Sequence, residues 1–600
     1  MRILGRQIEM RNVIWLIIGF ILLAVFAVYS LSGYRTDGPL DKVIQLVVLF
    51  PAIICIAWSV SKRIRKDLSL RASHLLNGIN VRTFLLLSAL FMLIFTTWMA
   101  FYPLEGTAKG GDEAVYLFQG KVFAAGELSA PVPSVSDPER FFPSRHLIME
   151  SGKWFCQYPP IHSIFMVPFV WLDLTALLGP LEGVLSLIGL FMLVRLWTND
   201  RMAKLTSILL LLSPFFLVMT STHMAHNSNL MLVTWSLYFL SIFWKHDRFI
   251  CTAVSGFLLG LALMAKPYPI IIWTIFLTIV LVSGGRKGFK ALLGLALGSI
   301  LPVAGFLALN WYYTGNALKT PYQLARAGRL IGFGPDKAWF PVYGDTDHTV
   351  WRGIKNGVRQ IASGATTLFG WPLLSLVPLI ASIGLIRRDR RILWLFLPLP
   401  AMFILLLPHA WPAVIYGPRH YYTFLPIILF LSVLGMQSIL RAARARWGER
   451  GGSFFFLVLA GLFGITLFLY LPEEIRLKSG PWLSIDGKPW ELAQEAVNGP
   501  AVVFMEASDR GYPNILSGMN YNSPFLDTEI IFCAHQTAEE DQEFMGAFPG
   551  REYYLYFVDE TGSHFMERWN LELAEELLPS RIVHPDPTAI RNAETENQQE

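Results

Sequence analysis

Charge is what this sequence has least of. Only 16% of its 600 residues are Asp, Glu, Lys or Arg, against about 25% in an ordinary soluble domain, while 54% are hydrophobic. That balance excludes a typical soluble globular protein. Cysteine is equally scarce: Cys55, Cys156, Cys251 and Cys533 are the full set. None falls in a C-x-x-C or a Cys/His ligand spacing, so a structural zinc site has no basis. Cys55 and Cys251 lie in or beside apolar runs, where a small buried thiol is expected. Cys156 and Cys533 lie in polar stretches, and whether they pair is left open. The net charge of +5 carries no nucleic-acid signal. There is also no internal repeat of the kind that marks inverted-repeat transporters.

What is present is a series of apolar runs of 17–23 residues. They predict a polytopic α-helical membrane protein with spans at about 12–31, 42–60, 82–102, 180–197, 203–221, 227–244, 249–265, 268–284, 289–311, 365–386, 391–408, 420–440 and 453–471, thirteen in all. The basic residues Arg2, Arg6 and Arg11 precede the first run, which is read as a retained signal anchor. Further basic clusters occur at Lys62–Arg71, Arg195–Lys204, Lys245/Arg248, Arg286–Lys290, Arg387–Arg391 and Arg441–Arg450. With thirteen spans and a cytoplasmic N-terminus, every cluster falls on the cytoplasmic side, as the positive-inside rule requires. One miscounted span would reverse all later assignments. The opposite side then receives the long polar connections 103–179 and 312–364 and everything from 472. Ile161–Leu172 is apolar but is interrupted by Pro168, Asp173 and Pro180, and it reads as a helix lying at the interface or partly re-entrant.

Four domains follow: 1–80, two N-terminal transmembrane helices and a basic loop; 81–471, a membrane core with external loops 103–179 and 312–364; 472–587, a small extracytoplasmic α/β domain; and 588–600, a polar disordered tail. The α/β reading rests on strand-like runs at Ala501–Met505 and Tyr553–Val558 and a helix-like stretch near Glu567–Leu578.

The polar residues that could carry chemistry all fall on the outer side of this scheme. Asp112 and Glu113 follow the apolar run Thr83–Tyr102 directly. A carboxylate there could take a proton from an attacking hydroxyl or amine; it could equally be a solvated side chain or the N-cap of a helix over Glu113–Phe123. Arg419 and His420, in Tyr416-Gly417-Pro418-Arg419-His420-Tyr421-Tyr422, stand where a guanidinium could bind a phosphate bidentately or simply snorkel to the interface. Lys266 lies in the tight turn Ala265-Lys266-Pro267-Tyr268 and could neutralise a phosphate or be only a loop charge. His223, His226 and Asn227 share another short turn, with the histidines at i, i+3 spacing. They could bond substrate or backbone, and no third metal ligand is evident. Two carboxylates and two histidines could hold a divalent cation, but no spacing demands one. The aromatics Trp311, Tyr312, Tyr313 and Tyr322 could line a groove or anchor the interface.

Four motifs occur in one order on one side: Gly111-Asp112-Glu113-Ala114-Val115-Tyr116, Gln157-Tyr158-Pro159-Pro160-Ile161-His162, Leu261-Ala262-Leu263-Met264-Ala265-Lys266, and Tyr416-Gly417-Pro418-Arg419-His420-Tyr421. In these the chain resembles the GT-C superfamily of integral-membrane glycosyltransferases, which includes the protein O-mannosyltransferases of glycosyltransferase family 39 and the aminoarabinose transferases, over about residues 80–440. The resemblance implies a GT-C fold, a polyprenyl-phosphate-sugar donor held among membrane lipids, and a cell-envelope acceptor. It implies inversion at the anomeric carbon, with Asp112 as general base and Glu113 beside it. Arg419, Lys266 and His420 would hold the donor phosphate. Tyr116, Tyr158, His162, His223, His226, Asn227 and Tyr322 become substrate-binding candidates. The setting implied is a bacterial inner membrane with the catalytic loops outside. His420 departs from the Tyr often found at that place. Two rival classes stand beside this one. A transporter or flippase for lipid-linked sugars would place ionisable residues near mid-span, whereas Asp173 and Glu182 border spans in this reading. A non-catalytic membrane subunit would use its outer domain to bind a partner.

Overall fold

The computed structural model describes residues 13–26, 39–64, 67–326, 331–335, 337, 347–480, 485–506, 513–559 and 561–577. The basic N-terminal segment, the expected tail and parts of the 312–364 connection lie outside them. Every one of the thirteen apolar segments contains helix, but not every segment is a full span. Among the described residues six helices are long and apolar enough to cross a membrane: Asp41–Ser61, Val81–Phe101, Thr175–Trp197, Gly285–Thr314, Arg419–Trp447 and Glu449–Lys478. The pair Asp200–Leu211 and Pro214–Thr220, bent by 68°, would make a seventh. The bend has a local cause. Pro214 supplies no N–H, and the Ser213 side chain caps the new helix by accepting from the Phe216 N–H.

Two of the other segments fall short for equally local reasons. Phe249–Leu263 has 15 residues, or about 22 Å of helix, against a hydrocarbon core of about 30 Å. The segment at 365–386 is not one helix. An amphipathic helix, Val350–Thr367, ends there. Gly370 and Leu373 take positive φ values of 71° and 57° around Pro372, and helix resumes at Val377. Part of what was read as the 312–364 loop is therefore helical. Glycine governs one tight contact. Gly256 and Gly260 pack against Gly285–Thr314, and a Cβ on Gly256 would come within 2.1 Å of the Leu295 carbonyl oxygen. Close backbone approach of this kind is how helices associate without a hydrophobic driving force.

The polar segment after Val81–Phe101 folds over the helices. Its first element, α1 (Gly111–Ala124), is capped by Gly110 in extended conformation, so Asp112 and Glu113 occupy its first turn and neither is the N-cap. Acidic side chains there complement the positive end of the helix dipole. A three-stranded antiparallel sheet follows, in the order β1 (Ala130–Pro131), β3 (Lys153–Cys156), β2 (Leu147–Glu150). The chain then enters α2 (Ile161–Trp171), which packs on α1 with Met166 against Gly120. Next comes α3 (Leu178–Trp197), which buries Glu182 at 2% exposure. Glu182 thus lies inside a span instead of bordering one. The later helix α4 (His226–His246) opens on a short turn after Thr220.

The C-terminal residues build a four-stranded sheet in the order β5 (Ile530–Ala534), β4 (Ala501–Met505), β6 (Glu552–Val558), β7 (His564–Arg568). The first three strands are parallel and β7 is antiparallel. The stretch read as helix near Glu567–Leu578 divides into the end of β7 and a shorter helix, Leu571–Glu576. This unit packs directly on the 103–156 segment. Buried Lys109 donates to the Gly480 and Ile485 carbonyls, Lys121 to those of Asn520 and Asn522, and Arg140 pairs with Glu540. Trp154 and Phe142 share a core with Val502, Phe504 and Phe544. All four cysteines are buried free thiols, so Cys156 and Cys533 do not pair.

Candidate active site

The first turn of α1 opens onto a cavity of about 610 Å³, walled by many separate parts of the chain. Asp112, Glu113, Tyr158, His226, Lys266, Tyr322, Arg419 and His420 all line it. Ile485 and Leu516 from the C-terminal unit complete the wall. Residues some 400 positions apart, Asp112 and Leu516, are thus gathered in one wall.

Asp112 is held on several sides. Its Oδ1 accepts a 2.5 Å hydrogen bond from the Tyr158 hydroxyl, and Arg419 Nη1 lies 3.3 Å from Oδ2. Burial alone would raise its pKa, but the Arg419 charge, with Lys266 and the Tyr158 bond, holds it well below the usual carboxylate range. His146 Nε2 stands 3.7 Å from Oδ1. The partners of its other nitrogen fix the tautomer. Nδ1 faces Arg326 Nη2 at 2.7 Å and the amide of Gln157, both donors, so Nδ1 accepts and the proton sits on Nε2. Burial and then Arg326 push the His146 pKa down to about 3, leaving a neutral ring at neutral pH. Lys266 Nζ lies over the rings of Tyr158, at 4.7 Å, and Tyr116, at 5.4 Å. Burial lowers its pKa to about 8 against the pull of Asp112.

Glu113 points elsewhere, as successive helical residues do. One oxygen accepts from the Tyr416 hydroxyl, and the other from the His223 backbone N–H at 2.9 Å. Burial raises its pKa to about 7, partly opposed by those two bonds. Arg419 keeps its buried Nε without a hydrogen-bond partner in the protein. The His420 ring meets that of His409 edge-on at 5.3 Å and that of His226 at 6.5 Å. The Tyr322 ring lies 6.0 Å from Tyr158.

Tyr116, His162, His223 and Asn227 lie beneath the cavity and do not line it. The Tyr116 ring packs on Tyr158 and His162. His162 has both ring nitrogens engaged, by Ser228 Oγ at 2.7 Å and the His223 carbonyl at 2.9 Å. The His223 backbone N–H goes to Glu113, its Nε2 lies 3.2 Å from Thr175 Oγ1, and burial lowers its pKa to about 4. The Asn227 amide donates to the Met219 and Thr222 carbonyls, tying the turn that carries His223. Conversely, His146, Gln157, Arg326, His409 and Tyr416 reach the cavity without having been singled out from sequence. Tyr416 and Gln157 stand inside quoted motifs and could have been found there. His146, Arg326 and His409 stand in no pattern. Among the described residues no group of three or more His, Cys, Asp or Glu side chains is arranged to hold a metal ion.

The fold and the cavity define a multi-pass membrane protein with a carboxylate pair, cations and aromatics converging at one end. The chain resembles the GT-C glycosyltransferases: residues 165–311 match the family model described as dolichyl-phosphate-mannose-protein mannosyltransferase. Similar solved structures include ArnT from Cupriavidus metallidurans bound to undecaprenyl phosphate. It is 12% identical, with 80% of this chain and 93% of that chain covered and a TM-score of 0.48. Another is the apo oligosaccharyltransferase of Archaeoglobus fulgidus, 11% identical, with 82% and 75% covered and a TM-score of 0.43. No curated protein matches the chain.

Proposed function

We propose that the chain is an inverting glycosyltransferase. It moves a sugar from a polyprenyl-phosphate donor to a cell-envelope acceptor — lipid, polysaccharide or protein — on the outer face of a bacterial plasma membrane. The carrying observation is the Asp112–Arg419 pair at 3.3 Å on the wall of the cavity. A half-buried guanidinium that uses one nitrogen on a carboxylate and keeps its buried Nε unpartnered suits a second anion, and a phosphodiester fits its fork. As paired here, Asp112 is a poor base. A donor phosphate that takes up Arg419 N–H groups, and brings its own negative charge beside Asp112, restores that basicity. The acceptor O–H or N–H then gives its proton to Asp112 as its heteroatom attacks the anomeric carbon. The sugar–phosphate C–O bond breaks on the opposite face, and the departing polyprenyl phosphate gains one negative charge. Arg419, Lys266 and His420 face that charge, which is where preorganised donors accelerate a reaction most. Tyr158 and Tyr322 provide aromatic surface for the sugar. The four-domain division, and a topology of thirteen crossings in which the short and broken helical segments serve as spans, belong to the same proposal.

Mass spectrometry of envelope lipids and glycans in a deletion strain tests it. A missing sugar with accumulated lipid-linked donor, restored by the wild-type gene and not by Asp112→Asn, is the expected result. An unchanged envelope in the deletion strain would overturn the reading.

A further inference from the structure

Glu182 is a buried titratable group for which the transfer chemistry has no direct use. It lies within α3, and Ser228 Oγ is hydrogen-bonded to its Oε1, while Oε2 has no hydrogen-bond partner. Ser228 Oγ is also 2.7 Å from His162 Nδ1, and His162 Nε2 is 2.9 Å from the His223 carbonyl. The hydrogens along this line can be counted. A carbonyl only accepts, so His162 Nε2 carries a hydrogen. In a neutral ring Nδ1 then accepts, and the single Ser228 hydroxyl hydrogen must go to it. Ser228 Oγ is left to accept, and its remaining neighbour on this line is Glu182 Oε1. The alternative, an imidazolium with an ionised Glu182, leaves a carboxylate oxygen unpartnered in a buried site, which is far costlier than an unpartnered carbonyl oxygen.

We propose that Glu182 is a neutral, proton-bearing positioning residue that acts on Glu113 from inside the membrane. Its O–H fixes Ser228, Ser228 fixes the Nε2–H tautomer of His162, and His162 fixes the His223 peptide whose N–H holds Glu113. The direction of donation is uniform along the line, so each bond strengthens the next. Removing the Glu182 hydrogen lets Ser228 accept from Nδ1–H. His162 then presents a bare Nε2 to the His223 carbonyl, and the turn that grips Glu113 loosens. The line works like the outer partners that set the tautomer of a functional histidine. This inference rests on the reading of Glu113 as part of the transfer site.

Infrared difference spectroscopy of the full-length purified protein tests it without requiring turnover. The groups facing Glu113 are His223, Tyr416, Asp112 and Arg419, and its own titration lies near pH 7. Wild type should show two protonated-carboxyl C=O bands, one titrating near neutral pH and lost in Glu113→Gln. The other should persist above neutral pH and be lost in Glu182→Gln. Glu182→Gln keeps an N–H donor towards Ser228, so the Glu113 midpoint should stay in place. Ser228→Ala and Glu182→Leu should move that midpoint up by on the order of one pH unit, because a hydrogen bond to the ionised form is weakened. If Glu182→Leu does not fold, Ser228→Ala, the smaller change, decides. Absence of the persistent band in wild type, or a Glu113 midpoint unmoved by Ser228→Ala, overturns the proposal. An envelope unchanged by gene deletion would sink the glycosyltransferase reading and leave these spectra standing, so the two failures are told apart.

Discussion

Asp112 and Glu113 are neighbours in sequence and opposites in environment. About 100° of helical rotation separates them. Asp112 faces a guanidinium, an ammonium and a phenol, which stabilise its charge. Glu113 faces a phenol and a backbone N–H, with the cations farther off, and burial dominates its titration. Two identical functional groups are thus set apart by their surroundings, the usual sign of divided acid–base roles. The lesson is that the pair is not redundant: removing one carboxyl should not resemble removing the other.

The sharpest way to break that contrast is Asp112→Asn. A positioned proton acceptor contributes roughly 10²–10⁴-fold, so the turnover number should fall by about 10³. Polyprenyl phosphate should still bind, and more tightly, because Arg419 no longer shares its charge. Transfer assays and a lipid-phosphate binding isotherm on the same preparation check both halves. Arg419→Lys comes next. It keeps the charge and loses the fork, so the donor KM should rise by about 10–100-fold, the equivalent of one charged hydrogen bond. A KM unchanged by that substitution would place the donor phosphate elsewhere in the cavity.

How much of this contrast could be read beforehand depends on the scale of the pattern. Helix occurs within each of the thirteen apolar runs, because lipid imposes a strong local requirement on composition. They did not reveal the breaks at Pro214 and at Gly370–Leu373, since a span interrupted by bends has the same composition as a straight one. The motif Gly111-Asp112-Glu113 pointed to the acidic turn, and Pro418-Arg419 to its cation. The difference between Asp112 and Glu113 was not legible. It is made by Tyr158, Tyr416, His223 and His146, which lie 34–303 residues away and touch α1 only through the fold. The same holds for Glu182. It was read as bordering a span, because position along a helix does not report which neighbours surround it.

The pH dependence sharpens the comparison further. Glu113 is ionised above about 7, and Lys266 is charged below about 8. If both charges are needed, kcat/KM should rise through about pH 7 and fall through about pH 8, giving a narrow bell. Asp112 is already ionised throughout and should contribute neither limb. Glu113→Gln should abolish the acid limb, and Lys266→Arg should carry the alkaline limb out of range. A profile that keeps its acid limb in Glu113→Gln would assign that limb to another group.

The smallest expected effect is on stability, and here the two neighbours differ in sign. The Asp112 pKa is depressed, so its contribution is present above its unfolded pKa of about 3.8 and is lost as pH falls through its folded value. The Glu113 pKa is raised from 4.5 to about 7, so its contribution is full below 4.5 and is lost as pH rises through 7, a swing of roughly 3 kcal/mol. Thermal unfolding in detergent should therefore show Glu113→Gln gaining on wild type as pH rises from 5 to 8. Asp112→Asn should lose its disadvantage only in strong acid. Tyr416→Phe removes one of the two bonds that favour ionised Glu113. It should shift the Glu113 midpoint upward and lower stability by about 1–2 kcal/mol above pH 7, with little change below pH 5, where the carboxyl is protonated. Equal destabilisation at both pH values would mean that Tyr416 serves packing alone, and the contrast between the two carboxylates would then rest on burial and Arg419.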